Sequence, residues 1–332
     1  MKRIWLNHWF STAYYIINMI RRENPDVQMI GSNENLLSPI KNACDEWYQE
    51  PVLTGKDYVD FCLEFCQQHD VNVFLPRREM VTISRYKQLF TEYGVRVMVD
   101  DYELVAPLND KAESYRCFSE KRIGIVPEFR VVETADEFSE AYDSLLADYE
   151  KVCIKFVHDE GGKSYRLIDN KRTGYSALFK KLTTRMTYDA VYNALSEKES
   201  FPPLMVMPYL PDEEVSVDCL NTAAGLIAIP RVKDYSRIER IEYDPEILDT
   251  CKAVLRAFPL ECPCNIQFKT LNGVRYLLEV NTRMSGGIHM ACEATGVNIP
   301  DIAVNKLMGN QKSWNLERKP CSVSHVEMPV VL

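Results

Sequence analysis

The spacing of hydrophobic and polar positions changes period repeatedly along this chain, and the changes mark its elements. In the first hundred residues, short apolar runs alternate with longer stretches whose apolar positions recur every three or four residues. The runs "RIWLN", "DVQMIGSN", "VNVFLPRR" and "VRVMVDD" have the length and composition of strands. "FSTAYYIINMIRREN", "DYVDFCLEFCQQHD" and "REMVTISRYKQLFTEYG" carry the helical period. Strands separated by helices predict a parallel sheet covered on both faces, and hence an α/β domain over residues 1–108. It is not a dinucleotide-binding domain by its own sequence. After the first strand the chain reads Asn7-His8-Trp9-Phe10, without the glycines that let a backbone approach a pyrophosphate. Scaffolding or substrate binding is the expected role.

From residue 109 the pattern changes. Asn109 or Asp110 is placed to cap a helix beginning near Lys111 and ending at Gly124. "VPEFRVVETADEFSEAYDSLL" reads as a strand followed by a helix capped by Thr134. "KVCIKFV" is a strand, "HDEGGKSY" a glycine-bearing turn, "RLIDN" a further strand, and residues 174–198 a helix. "PLMVMPYLPDEEVSVDCLNTAAGLIAIPRVKDYS" gives strand, connection, strand, turn, strand. "DPEILDTCKAVLRAF" is a helix, "CNIQFKTLNGVRYLLEVN" a hairpin turning at Asn272-Gly273, and "DIAVNKLMG" a closing helix. The expected division is 1–108, 109–205 and 206–332.

Composition narrows the function classes. A chain of 332 residues, 46% hydrophobic and 26% charged, has material for two or three globular cores, which excludes disordered, collagen-like and coiled-coil classes. A formal charge of −9 argues against a nucleic-acid partner. The N-terminal stretch is interrupted by Asn7, His8, Ser11 and Thr12, and no run of eighteen apolar residues occurs, so no membrane segment is expected. Eleven irregularly spaced cysteines fit a reducing cytoplasm better than a disulfide framework. Cys62 and Cys66 sit one helical turn apart, as core residues would, and Cys262-Pro-Cys264 lacks a second pair for zinc.

Three features carry candidate chemistry. In "YLLEVNTRMSGG" an apolar strand ends in Glu279, Asn281 and Arg283, alternate positions that share one face. The hairpin brings Gln267 beside them, and three oxygen-bearing side chains on adjacent strands suit a hard cation such as Mg²⁺; the bland alternative is a solvated hairpin end. The second feature is Lys155 within the apolar strand "VCIKFV", followed by Gly161-Gly162-Lys163-Ser164. Val157 stands where a P-loop needs glycine and no helix follows, so this is a lysine and a glycine turn set to meet an anion, or else an edge-strand lysine beside a surface turn. Third, the proline-flanked bend after "LMVMPYLP" can present backbone groups to a flat base, with Glu213-Glu214 just beyond.

In their order along the chain these features resemble the ATP-grasp superfamily, to which biotin carboxylase, D-alanine–D-alanine ligase and the large subunit of carbamoyl phosphate synthetase belong. The resemblance spans nearly the whole chain. It implies two α+β subdomains clasping ATP, residues 109–205 with the glycine loop and 206–332 with the metal site, behind a Rossmann-like pre-ATP-grasp domain. Carried over to this sequence, Lys111 and Lys155 would bind ATP phosphates and residues 158–166 would close over them. Met207, Tyr209 and Leu210 would flank the adenine, Glu214 would hold the ribose, and Gln267, Glu279 and Asn281 would ligate Mg²⁺, or Mn²⁺ in its place. Arg283 would face the transferring phosphoryl group. Met207 departs from the glutamate many members carry there, and Gln267 from their acid. The implied activity is ADP-forming ligation of a small-molecule carboxylate to an amine, or to a thiol, through an acyl phosphate, in a cytoplasmic bacterial protein. A weakened ATP-binding scaffold or regulatory protein and an ATP-grasp kinase are the alternatives. Arg231 or Lys233 is expected to reach an anionic substrate, and Ser285, Gly286 and Gly287 to offer backbone N–H groups to the carboxylate. The apolar helix "AYYIINMI" offers a face for a homodimer.

Overall fold

The structure is a computed structural model describing residues 2–158, 162–171, 184–233 and 237–331. It falls into two compact units. The first comprises residues 1–109, 213–267 and 279–332, and the second residues 110–212 and 268–278.

The chain opens with β1 (Lys2–Asn7), α1 (Ala13–Glu23), β2 (Val27–Asn33), β3 (Glu46–Gln49) and α2 (Gly55–Gln68). It continues through β4 (Val73–Leu75), α3 (Met80–Arg85), α4 (Lys87–Glu92), β5 (Arg96–Val97) and α5 (Tyr102–Asn109). The five strands form a sheet in the order β3-β2-β1-β4-β5, all parallel. Consecutive residues Ile4, Trp5 and Leu6 are all buried, as expected of a strand covered on both faces. On one face Trp5 stacks between Phe65 and Phe74, with Cys62 and Cys66 packed nearby. On the other face, Ile16, Ile17 and Ile20 of α1 enter a second core. The apolar side of α1 is thus covered within the chain. The helix expected over 78–94 breaks at Tyr86 into α3 and α4, and β3 escaped the sequence pattern because only four half-buried or exposed residues form it.

The second unit begins with α6 (Lys111–Glu120), whose Asp110 cap accepts a 2.8 Å hydrogen bond from the Glu113 N–H. The helix ends at Glu120, four residues before Gly124. β6 (Arg130–Val132), α7 (Ala135–Leu146), β7 (Val152–Phe156), β8 (Arg166–Ile168), β9 (Arg185–Met186), α8 (Tyr188–Leu195) and β10 (Leu204–Pro208) follow. Their sheet runs β6-β10-β7-β8-β9, and its core is built on Phe138, Val152, Ile154, Leu204 and Val206. Within the described part of the helix expected over 174–198, α8 begins at Tyr188. Residues 185–186 are a strand, and 172–183 lie outside the described residues.

The remainder contains β11 (Glu214–Thr222), β12 (Gly225–Lys233), β13 (Ile238–Ile241), α9 (Pro245–Ala257), β14 (Cys264–Leu271) and β15 (Val274–Asn281). α10 (Ile288–Thr295), α11 (Ile299–Leu307) and β16 (Cys321–Ser324) close it. The six strands order as β15-β14-β11-β12-β13-β16. β14 and β15 turn at Asn272 (φ 51°) and Gly273 (φ 80°), the left-handed pair that a two-residue hairpin requires. Leu220, Ile227, Ile229, Ile288 and Ile299 join the core that α1 enters. Among the described residues no helix is long and apolar enough to cross a membrane.

Candidate active site

In the second unit two lysines and a glycine turn gather around β7. Lys155, within the strand, is only 8% exposed, and its ammonium lies 5.6 Å from the centre of the Tyr115 ring. Tyr115 is itself anchored by its hydroxyl, which donates to the Leu278 carbonyl at 2.7 Å. Lys111 opens α6, and its Nζ is 3.4 Å from the carbonyl of Val157, two residues beyond Lys155. Buried ammonium groups are costly, and two of them near one strand end suit an anion. Gly162 has φ 65°, and the Ser164 hydroxyl accepts from the Phe156 N–H at 2.9 Å, which folds the turn back onto β7. Lys163 is exposed; Gly161 lies outside the described residues.

Next to β7, β10 presents the expected base-binding residues. Met205 pairs with Lys155 and Met207 with Cys153, while the Tyr209 N–H donates to the Lys151 carbonyl at 2.8 Å. Met207 and Leu210 are buried and Tyr209 is half-buried. Burial pushes the Cys153 thiol up to about 12 although Lys155 pulls it down, so this cysteine is no thiolate at neutral pH.

In the first unit the alternate residues of β15 do share a face. The Asn281 amide donates to Glu279 Oε1 at 2.8 Å, and Arg283 Nη1 donates to Asn281 Oδ1 at 2.8 Å. On β14 the Gln267 amide nitrogen donates to Asn265 Oδ1 at 3.1 Å, which orients its own carbonyl oxygen away from Asn265. The set therefore offers a carboxylate and two amide oxygens, donors that fit Mg²⁺ completed by phosphate oxygens. Among the described residues no three His, Cys, Asp or Glu side chains gather as a softer-metal site would require.

Beneath this row lies a buried polar network that the sequence reading did not assemble. Arg231 is 1% exposed; its Nε lies 2.8 Å from Asp218 Oδ2, and Nη1 pairs with Glu239. Burial works against the guanidinium charge, but the two carboxylates hold its pKa above the ordinary arginine value. Arg231 Nη2 also donates to Ser285 Oγ at 3.0 Å, and the Ser285 hydroxyl donates to Asp218 Oδ1 at 2.6 Å. Asn265 Nδ2 donates to the same Asp218 oxygen at 2.9 Å and exchanges hydrogen bonds with Ser216. A continuous chain thus runs from Gln267 through Asn265 and Asp218 to Ser285. Gly287 is required by this packing, since a Cβ there would stand 2.3 Å from Arg231 Nη1. Gly286 lies against Phe10 and Thr12. Lys233, directly opposite Glu214, forms a 2.8 Å ion pair with it.

The alternation was legible in "EVSVD" and "CNIQ", where Ser216 and Asp218, and Asn265 and Gln267, recur every second residue within apolar strands. His289, on a helix that the sequence reading missed, had no such signal.

Residues 200–329 match a family described as ATP-grasp in the biosynthetic pathway with Ter operon. The chain is 24% identical to the carbamoyl phosphate synthase large chain of Methanocorpusculum labreanum over 96% of its own length, but spans only 30% of that relative. Among solved structures, the Staphylococcus aureus N5-carboxyaminoimidazole synthetase complexed with ADP superposes with a TM-score of 0.72. That similarity has 14% identity and covers 98% of this chain and 82% of the other. The biotin carboxylase domain of Hydrogenobacter thermophilus 2-oxoglutarate carboxylase, in complex with MgADP, ADP and bicarbonate, gives a TM-score of 0.70 at 15% identity. It covers 96% and 72% of the two chains.

Proposed function

From its ATP-grasp fold and from the ATP-grasp family that residues 200–329 match, we propose that the chain is an ADP-forming ligase. It would join a carboxylate to an amine through an acyl phosphate. The observation that carries this reading is the row Glu279–Asn281–Arg283, linked in series, beside Gln267 held by Asn265. This is a phosphoryl-transfer apparatus of one carboxylate, two amide oxygens and a guanidinium.

The roles follow from the donors. Lys111 and Lys155 hold the ATP phosphates, and the turn with Gly162, Lys163 and Ser164 covers them and excludes water from the acyl phosphate. Met207, Tyr209 and Leu210 flank the adenine. Glu214 accepts from the ribose hydroxyls, and its ion pair with Lys233 orients it. Gln267, Glu279 and Asn281 would hold Mg²⁺, which supplies charge neutralisation at the transferring phosphoryl group. Arg283, which donates to Asn281 Oδ1 at the end of the row, would face the γ-phosphoryl oxygens. Ser285, Gly286 and Gly287 receive the carboxylate substrate. Arg231 acts as a positioning residue, because its charge is already shared between Asp218 and Glu239 and it touches the loop through Ser285. Catalysis on this reading is positioning and charge stabilisation, with no protein nucleophile.

A hydroxylamine assay tests the reading. With Mg-ATP and pools of amino acids and small dicarboxylates, the protein should release ADP and form hydroxamate together, dependent on one acid. ADP release that depends on an acid yet yields no hydroxamate would replace the ligase by a kinase.

A further inference from the structure

His289 lies in the first turn of α10, directly after the Ser285–Gly286–Gly287 loop, and nothing assigned above uses it. It is 5% exposed, and its buried ring nitrogens make no well-formed hydrogen bond, the Gly286 backbone being the group nearest to receiving one. Leaving a buried polar group unmatched costs about 1–3 kcal/mol, so such a group calls for an explanation. The ring is nonetheless held firmly. Tyr15 stacks on it at 4.5 Å with the planes 9° apart, and His325 meets it edge-on at 6.1 Å. The Tyr15 hydroxyl donates to the Val326 carbonyl at 2.9 Å, which fixes the segment carrying His325.

A second uncommitted group faces the same loop. Thr12 stands at the N-cap of α1, where a hydroxyl normally accepts a helix N–H, yet it makes no such bond and its Oγ1 is buried without a partner. That oxygen is 3.6 Å from where a Cβ of Gly286 would be. Thr12 lies just past the carboxyl end of β1, the edge of a parallel sheet at which ligands bind.

The charges nearby indicate what kind of ligand this is. Arg231 is matched by two acids, Asp218 and Glu239, so the three sum to −1, which favours a cationic amine beside the carboxylate that the loop's backbone N–H groups receive. Arg77 lies on the Phe10 ring, 5.5 Å from its centre. Burial, then His325 and Arg231, hold the His289 pKa below the ordinary histidine value, against the opposing pull of the Gly286 backbone and Asp218. The imidazole is therefore neutral at neutral pH and able to accept a proton.

Resting on the ligase reading, we infer that the first turn of α10 and Thr12 border the subsite of the amine nucleophile, and that His289 takes the proton from that amine. The ammonium gives one proton to a ring nitrogen of His289, and its freed lone pair attacks the acyl carbon. The C–N bond forms and the bond from carbon to the phosphate oxygen breaks. Its electron pair leaves with phosphate, which carries off a second proton from the nitrogen.

The test compares two nucleophiles on the full chain: hydroxylamine, which is already unprotonated at neutral pH, and a pool of ammonium chloride and amino acids. In H289Q, the rate with the amine pool should fall relative to the rate with hydroxylamine by about 100-fold or more. That deficit should close as pH approaches the pKa of the amine itself. Equal losses with both nucleophiles, or no loss with either, would overturn the assignment. If H289Q does not fold, wild-type protein still decides. With His289 as base, the amine rate levels off above the lowered histidine pKa; without it, the rate climbs about tenfold per pH unit, as free amine does. Wild-type protein that gives no hydroxamate from any acid would remove the ligase reading, and this inference with it, which is a separate result from a changed ratio.

Discussion

Glu279→Gln is expected to lower ATP turnover by about a thousandfold or more while leaving the protein folded. Glu279 is the one carboxylate among the three oxygen donors at the end of the β14–β15 hairpin. The other two, Gln267 and Asn281, are neutral amides. Mg²⁺ in water must give up tightly held ligands, and two amide oxygens with phosphate compensate poorly for a missing carboxylate. A loss of about 4 kcal/mol of transition-state stabilisation corresponds to the stated thousandfold. The substitution keeps the length and the acceptor oxygen that Asn281 uses, and the position is only half-buried, so the thermal midpoint should move by no more than a few degrees. Steady-state rates across a Mg²⁺ titration, with ATP binding measured by calorimetry, check this directly. The apparent Mg²⁺ requirement should rise as turnover falls. Turnover within threefold of wild type would place the metal elsewhere.

Arg231→Met should instead act on stability. The guanidinium is buried between Asp218, itself fully buried, and Glu239, and removing it leaves both carboxylates without their cation. Breaking a buried pair in this way costs about 3–5 kcal/mol, a fall in thermal midpoint of the order of 10 °C. Combining Arg231→Met with Asp218→Asn should recover part of the loss, since the partner charge is then gone as well. Calorimetric unfolding of wild type and the two variants at pH 7 measures both effects. An Arg231→Met midpoint within 2 °C of wild type would mean that the network contributes little.

Much of this is legible in the sequence. The parallel sheet followed from the change between helical and strand periods, since burying both faces forces the continuous apolar runs seen in β1 and β4. The common face of Glu279, Asn281 and Arg283 followed from alternation alone. What was not legible has physical reasons. α10 reads "IHMACEAT", with five consecutive buried residues and no polar face to set a period, and two glycines before it suggested only a turn. Arg231 looked like one cation in a basic stretch. Its partners stand 13 and 8 positions away, on a neighbouring strand to either side, and only the pairing of β11, β12 and β13 brings them together. The long helix expected over 78–94 failed because Tyr86 ends one helix and begins the next, and no proline or glycine marks the break.

The central claim is that a carboxylate attacks the γ-phosphorus of ATP to give an acyl phosphate. Positional isotope exchange tests it most directly. ATP labelled with ¹⁸O in the β–γ bridge is incubated with the protein, Mg²⁺ and the carboxylate pools, without any amine. Reversible acyl-phosphate formation should scramble the label into the β non-bridging positions only when the right acid is present, and Glu279→Gln should abolish the scrambling. Label that stays in the bridge with every acid, while Mg-ATP binds and amide product still forms when amine is added, would contradict the account.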